Sequence, residues 1–224
     1  MIQKRTVEHR AGLHAALGDP VRLAIVDELM VSDRAPVELQ ALTGLESNLL
    51  AHHLDTLEVV GLIVRSHSSG DARRRYVRLV HGALGGLEFV VHEAPRDVLF
   101  VCTKNSARSQ LAAALWRAIT GQEAQSAGTH PAPRVHPGAV AAAERSGLDL
   151  HDAVPRRFDE VAVVPPLVIT VCDRAHEEIG SGRDWWHWSV PDPLERASKS
   201  AFDATIADFR DRIEVVFETR EVLQ

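Results

Sequence analysis

The chain has 224 residues, room for two ordinary domains, and its 45% hydrophobic content is that of a globular protein. Its 25 lysines and arginines stand against 31 aspartates and glutamates, a net charge of -6, which excludes a general basic coat for nucleic acid but not a local basic patch. Two cysteines exclude a secreted disulfide framework, and no apolar run reaches membrane length or forms a signal-peptide core, so a soluble cytoplasmic protein without a membrane partner is expected.

Residues 8–17 read as a short helix with Leu13 and Leu17 on one side, broken by Gly18-Asp19-Pro20. Asp19 caps the next helix and Pro20 suits its first position; that helix runs to about Met30, with Val21, Ile25, Val26 and Leu29 inward. Residues 32–35 form a loop. Pro36 opens a short helix to Leu42, ended by Thr43-Gly44, and another runs from Ser47 to about Val60, ended by Gly61. Two short helices joined by a glycine-containing turn are a helix-turn-helix candidate. Residues 62–65 read as a strand, 66–72 as a polar turn and 73–80 as the return strand, so the hairpin occupies the place of a wing.

Over about residues 8–92 the chain resembles the arsenical-resistance repressor family of winged-helix regulators. The resemblance rests on Leu17-Gly18-Asp19-Pro20-Val21-Arg22-Leu23-Ala24-Ile25, on Leu49-Leu50-Ala51-His52-His53-Leu54-Asp55-Thr56-Leu57, on Gly61-Leu62-Ile63 and on the arginine-rich hairpin. It implies a homodimer on a two-fold DNA operator, with residues 47–60 in the major groove. Ser47, Asn48, Ala51 and His52 lie near the start of that helix, where short polar side chains reach base edges. Arg65, Arg73, Arg74, Arg75 and Arg78 supply phosphate contacts. Many members of the family sense soft metals through cysteines, and residues 1–95 contain none. Other members bind zinc on their last helix. Here His81 and His92, with Glu88 and Glu93 nearby, lack two of the four ligands such a site requires, and no metal is expected.

Gly82, Gly85 and Gly86 weaken that last helix, and residues 92–96 lead into a second domain without a long tether. The boundary falls between an α+β winged helix-turn-helix over 1–94 and an α/β domain over 95–224. In the latter, strand–helix alternation implies a parallel sheet with helices on both faces. Four apolar residues, Val98 to Val101, run into Cys102; a polar loop follows, then Arg108 and the helical run 109–120. A helix N-terminus and a guanidinium both favour a thiolate, and the amides of Thr103, Lys104, Asn105, Ser106 and Ala107 with Arg108 can hold a tetrahedral oxyanion. Asn105 can brace the loop, and the Ser109 hydroxyl can donate to the sulfur.

This run resembles the phosphate-binding loop of the low-molecular-weight protein tyrosine phosphatases and their arsenate reductase relatives, a phosphotyrosine phosphatase I-like fold. Carried over, Cys102 is the nucleophile and Arg108 the clamp. Lys104 stands where the family usually has glycine, and is expected to need a backbone angle that glycine adopts more cheaply.

Further along, a strand over 123–129, a helix over 138–146, a short helix over 159–164, a strand over 167–172, a loop over 173–192 and a final helix over 197–218 are expected. Ser126-Ala127-Gly128-Thr129, Cys172-Asp173 and Trp188-Ser189-Val190-Pro191-Asp192-Pro193 extend the resemblance, which makes Asp192 the general acid. Gln110 and Leu194 resemble the reductase branch, whose thioredoxin-linked members relay a disulfide through two further cysteines; Cys172 matches the first, and Ile179 stands at the second. Cys172 is therefore either a resolving thiol or a buried strand-end thiol. The resemblance implies arsenate or phosphate as the oxyanion, no bound cofactor, and an external small thiol or redoxin as reductant. Aryl phosphate hydrolysis and a purely sensing repressor are the alternatives.

Overall fold

The computed structural model describes residues 7–84, 97–180 and 183–218. The chain divides into two compact units, residues 1–67 with 74–91, and residues 68–73 with 92–224. Among the described residues no helix is long and apolar enough to cross a membrane.

Among the described residues the first unit holds four helices and a hairpin: α1 (Val7–Leu17), α2 (Pro20–Val31), α3 (Pro36–Thr43), α4 (Ser47–Val59), β1 (Ile63–His67) and β2 (Arg75–Leu79). Asp19 caps α2 by accepting from the Val21 and Arg22 amides, both at 3.0 Å, with Pro20 in the first turn. Glu38 reaches back to the Ala35 amide at 2.7 Å and starts α3. Gly44 ends α3 in the left-handed conformation, φ 67°, which lets α4 start at Ser47. Ile25, Val26, Leu29, Leu39, Leu54 and Leu57 close the core, onto which Ile63, Tyr76 and Val77 of the hairpin are also buried. The strands are antiparallel, from Ile63 opposite Leu79 to His67 opposite Arg75. Arg34 pairs with Val77, so part of the expected loop 32–35 adds a rung to this sheet. A short 3-10 turn, His81–Ala83, follows β2; the expected last helix, with Gly85, Gly86, Glu88 and His92, lies outside the described residues.

The second unit contains β3 (Val98–Cys102), α5 (Arg108–Thr120), β4 (Ala124–Gly128), α6 (Pro137–Arg145), β5 (Leu167–Thr170), the short α7 (Asp173–Ala175), β6 (Trp186–His187) and α8 (Lys199–Glu218). The strands lie in the order β4-β3-β5-β6 and all run parallel. Every residue of β3 is buried, as the unbroken apolar run requires of a central parallel strand. Phe202, Ile206, Phe209, Ile213 and Val216 form the buried stripe of α8. Phe100 lies 5.8 Å from Trp116 of α5 and 5.7 Å from Trp188, ring centre to ring centre, and Trp188 lies 6.2 Å from Phe209 of α8.

Two expectations are corrected. Residues 159–164 do not form a helix; only a 3-10 turn, Phe158–Glu160, is present. The stretch 173–192 is not a plain loop. It opens with α7, continues as a π-helical turn, His176–Gly180, and returns as β6, in which Trp186 and His187 pair with Ile169 and Thr170. A two-residue strand has no periodicity to read; its pairing to β5 makes it a strand.

Candidate active site

The functional loop begins where β3 ends. The Cys102, Thr103, Lys104 and Ser106 carbonyls accept from the Thr129, His130, Ala132 and His136 amides at 3.1, 2.8, 2.9 and 2.8 Å. The segment after β4 thus satisfies the outward acceptors of the loop. The Asn105 amide already points at the Cys102 sulfur, 3.2 Å away. Close approach at Gly128 makes this possible: a Cβ there would stand 2.8 Å from the Thr103 oxygen and 3.0 Å from the Asn105 nitrogen.

Asn105 carries the positive backbone angle of the loop, φ 46°. Lys104 has no such angle, which corrects the expectation attached to its replacing glycine; the turn is taken by asparagine, which tolerates the left-handed region. The Lys104 residue is exposed while its carbonyl is held. Asn105 Nδ2 donates to Ser109 Oγ at 2.8 Å, and Ser109 Oγ lies 3.1 Å from Cys102 Sγ. The loop ends at Ala107, and α5 starts at Arg108 with its N-terminus toward the site.

Arg108 is buried. Its Nη1 donates to the Val190 carbonyl at 3.0 Å and its Nη2 to Asp192 Oδ2 at 2.8 Å. Burial works against its charge, but Cys172, Cys102 and Asp192 together more than compensate and raise its pKa. Asp192 is held from its other side by the Leu194 amide at 3.0 Å. The nucleophile, clamp and acid expected from the sequence therefore form one cluster.

Cys172 joins it. Its sulfur lies 3.3 Å from the Thr103 hydroxyl and accepts from the Ala175 amide at 3.4 Å. Burial pushes this thiol up, and Arg108 pulls the other way. Behind it stands a buried polar group with no sequence signature. His187 Nε2 lies 3.2 Å from Asp173 Oδ1, His187 Nδ1 lies 2.9 Å from the Thr170 hydroxyl, and the His176 ring stacks on His187 at 4.1 Å. Burial alone would raise Asp173; hydrogen bonds from His187 and Ser189 outweigh it and bring the carboxyl down to about 2.

Two further residues brace Asn105 and were not read from the sequence in that role. The Arg156 amide and Gln110 Nε2 both donate to Asn105 Oδ1, at 2.9 and 3.2 Å. No grouping of histidine, cysteine, aspartate or glutamate among the described residues could hold a metal.

In the first unit, Ser47, Asn48, Ala51 and His52 are exposed along the first turns of α4. Arg65 is held by Asp55 and Glu58, whereas Arg74 and Arg75 are exposed. In the turn over 68–73, which groups with the second unit, Arg73 pairs with Asp71 at 3.0 Å while its side chain stays 92% exposed. His53 is buried, with Nδ1 3.7 Å from Asp19.

A buried cysteine at the carboxyl end of a central parallel strand, wrapped by a backbone turn that closes on a buried arginine, defines an oxyanion enzyme of the cysteine-nucleophile class. The model of the low molecular weight phosphotyrosine protein phosphatase family matches residues 97–221, and the chain belongs to that family. It is 33% identical over 104 residues to an arsenate reductase of Halalkalibacterium halodurans, across 44% of this chain and 74% of that protein. It is 30% identical over 103 residues to arsenate reductase 2 of Staphylococcus epidermidis, across 44% and 79%. The crystal structure of the tyrosine phosphatase Wzb from Escherichia coli in complex with sulphate superposes with a TM-score of 0.50 at 21% identity, over 58% of this chain and 99% of that one, a likeness of fold. The chain is thus an enzyme of this family, and its site is consistent with phosphatase or arsenate reductase chemistry on an oxyanion.

Proposed function

We propose that the second unit reduces arsenate to arsenite with an external thiol as reductant, and that the first unit is a winged-helix DNA-binding domain, so that the protein is a transcriptional regulator fused to an enzyme. The observation that carries the enzymatic half is a pair of thiols, at the ends of two neighbouring strands, that meet at one loop. Cys102 takes the Asn105 amide and lies by the Ser109 hydroxyl, and Cys172 lies against the hydroxyl of Thr103, the residue after Cys102.

The steps balance as follows. The Cys102 thiolate attacks arsenic, a sulfur–arsenic bond forms, and an arsenate oxygen leaves as water after taking protons, one of them from Asp192 beside Arg108. A second thiol attacks Cys102 Sγ. A disulfide forms, the electron pair of the sulfur–arsenic bond stays on arsenic, and arsenite departs. The attacking thiol is Cys172 or a small thiol. Ile179 offers no third cysteine, so the disulfide is reduced from outside by a small thiol or redoxin. Arg108 balances the oxyanion charge throughout.

Support for the regulatory half is the α3–Gly44–α4 arrangement with Ser47, Asn48, Ala51 and His52 exposed, followed by a hairpin that presents Arg74 and Arg75. A homodimer on a two-fold operator follows from this reading. Because Arg65 is half-buried against Asp55 and Glu58 and Arg78 is half-buried in β2, phosphate contact rests on the exposed Arg73, Arg74 and Arg75.

Steady-state turnover of arsenate on the purified protein, with a small-thiol system and with a thioredoxin system, tests the enzyme. Arsenate reduction with either one supports the proposal. Activity with neither, beside brisk aryl phosphate hydrolysis, overturns it in favour of the phosphatase reading, which the Asp192–Arg108 pair also suits. Selection of bound sequences from a random DNA pool tests the first unit; recovery of no two-fold sequence overturns the regulatory half.

A further inference from the structure

Gln110 is buried in the first turn of α5, one residue beyond Ser109, and touches neither sulfur in any bond described above. Its side-chain Nε2 lies 3.2 Å from Asn105 Oδ1 and 3.4 Å from the Val154 carbonyl oxygen. Two backbone groups fix the direction of every hydrogen bond in this cluster. The Val154 carbonyl can only accept, so the Gln110 atom facing it is the amide nitrogen. The Arg156 amide can only donate, so the Asn105 atom 2.9 Å from it is the oxygen.

With its oxygen committed to those two donors, Asn105 must present its nitrogen to Ser109 Oγ, at 2.8 Å. The serine oxygen thereby accepts, and its single hydrogen is left for Cys102 Sγ, at 3.1 Å. The charged and titratable groups around that sulfur are Arg108, with Asp192 on it, and Cys172, with Asp173 beyond. None of them determines which way Asn105 faces.

We infer that Gln110 is a positioning residue: it holds the Asn105 amide in the orientation that makes Ser109 a donor, rather than an acceptor, toward the Cys102 thiolate. The inference rests on the proposed role of Cys102 as nucleophile. It goes further, because it says that the third residue of α5, together with the Arg156 amide, sets the polarity of the relay behind that nucleophile. A filler at this position needs only volume; a polarity-setting residue needs a donor. Gln110→Met keeps the size and drops the donor. Gln110→Glu keeps the shape but turns an acceptor toward Asn105 Oδ1 and the Val154 oxygen. Asn105 Oδ1 then keeps the Arg156 amide as its one donor and faces a repelling oxygen, so the asparagine is held less firmly and the serine hydrogen is directed less firmly at sulfur.

The test uses the full chain carrying Cys172→Ser, so that Cys102 is its sole thiol. Cys102 is read by its alkylation rate with iodoacetamide and by its ultraviolet thiolate band, both at neutral pH. Arsenate and aryl phosphate kinetics are measured with the Cys172-containing chain. Gln110→Met is expected to slow alkylation about three- to tenfold, the worth of one net hydrogen bond, and to lower kcat while KM moves less than about twofold. Gln110→Glu is expected to slow alkylation more than Gln110→Met. Wild-type alkylation and kcat in Gln110→Met, or equal effects from the two variants, would overturn the inference. Should the unsubstituted chain turn over neither substrate, the functional proposal fails, yet the alkylation series still decides the role of Gln110, because iodoacetamide reads the sulfur directly.

Discussion

Strands β3 and β5 lie side by side, and each leads into a cysteine that precedes a helix, yet the two thiols meet different surroundings. Five residues separate Cys102 from the helix arginine, so the backbone can wrap the sulfur and turn amides toward it. After Cys172 the helix begins at once, and the sulfur becomes its cap, with one amide from Ala175 and one neighbouring hydroxyl from Thr103. Cys102 sits at the base of a turn that brings the Asn105 amide and the Ser109 hydroxyl to its sulfur. Cys172 sits in a tight, buried niche that raises its thiol despite Arg108. The lesson is that the length of the loop after a strand-end cysteine decides whether backbone can fold around the sulfur, as the proposed nucleophile Cys102 requires.

Removing one thiol at a time tests this contrast most strongly. Cys102→Ser is expected to lower arsenate turnover at least about ten-thousandfold, whereas Cys172→Ser under a small-thiol reductant loses less than about tenfold. Equal losses would erase the distinction, since both sulfurs would then be obligatory. Arg108→Lys is next. It keeps the charge but cannot hold Val190, Asp192 and an oxyanion in one plane, and kcat/KM for arsenate should fall about a hundred- to thousandfold.

The niche behind Cys172 yields a stability prediction. The folded Asp173 carboxyl titrates at about 2, against an ordinary value of 3.8. A depressed pKa contributes stability that is present above the unfolded value and is lost as pH falls from about 4 through about 2, here about 2 kcal/mol. Denaturant titrations across that window should show the loss in the wild type and a flatter profile in Asp173→Asn. The same contrast between engaged and exposed groups applies to the arginines of the first unit. If the proposed DNA-binding role holds, Arg74→Ala with Arg75→Ala should weaken DNA binding about tenfold and reduce the slope of log affinity against log salt by about two, while Arg65→Ala changes that slope less. Smallest of all, Thr103→Val should move the Cys172 titration further upward, read by its alkylation in a Cys102→Ser chain, because the hydroxyl lowers it.

Much of the second unit was legible because its signals are local. The run Val98–Cys102 is apolar at every position and became the central strand; the Phe202-to-Val216 stripe became the buried face of α8; Cys102, Arg108, Ser109 and Asp192 gathered as expected. Elsewhere the signals were too short or too distant. Trp186 and His187 form a strand through pairing to β5, and a polar, tryptophan-rich stretch carries no period that says so. Lys104 looked strained because glycine is usual there, but the left-handed turn fell on Asn105. Arg156 and Gln110 meet on one asparagine oxygen although 46 positions separate them in the chain.

By itself the sequence determined what a few neighbouring residues can dictate: where helices begin and end at Asp19-Pro20 and Gly44, which strand is buried, and that a cysteine, a loop and an arginine lie in one turn between β3 and α5. Those are short-range matters of dihedral preference, capping and apolar periodicity. The tertiary structure decided the rest: that β4 ends on a glycine small enough to let the loop backbone approach, that Cys172 lies against Thr103, and that backbone groups at 154 and 156 orient the side chains behind the nucleophile. Hydrogen-bond direction depends on which fixed donor or acceptor stands opposite, and in this site those partners come from distant parts of the chain.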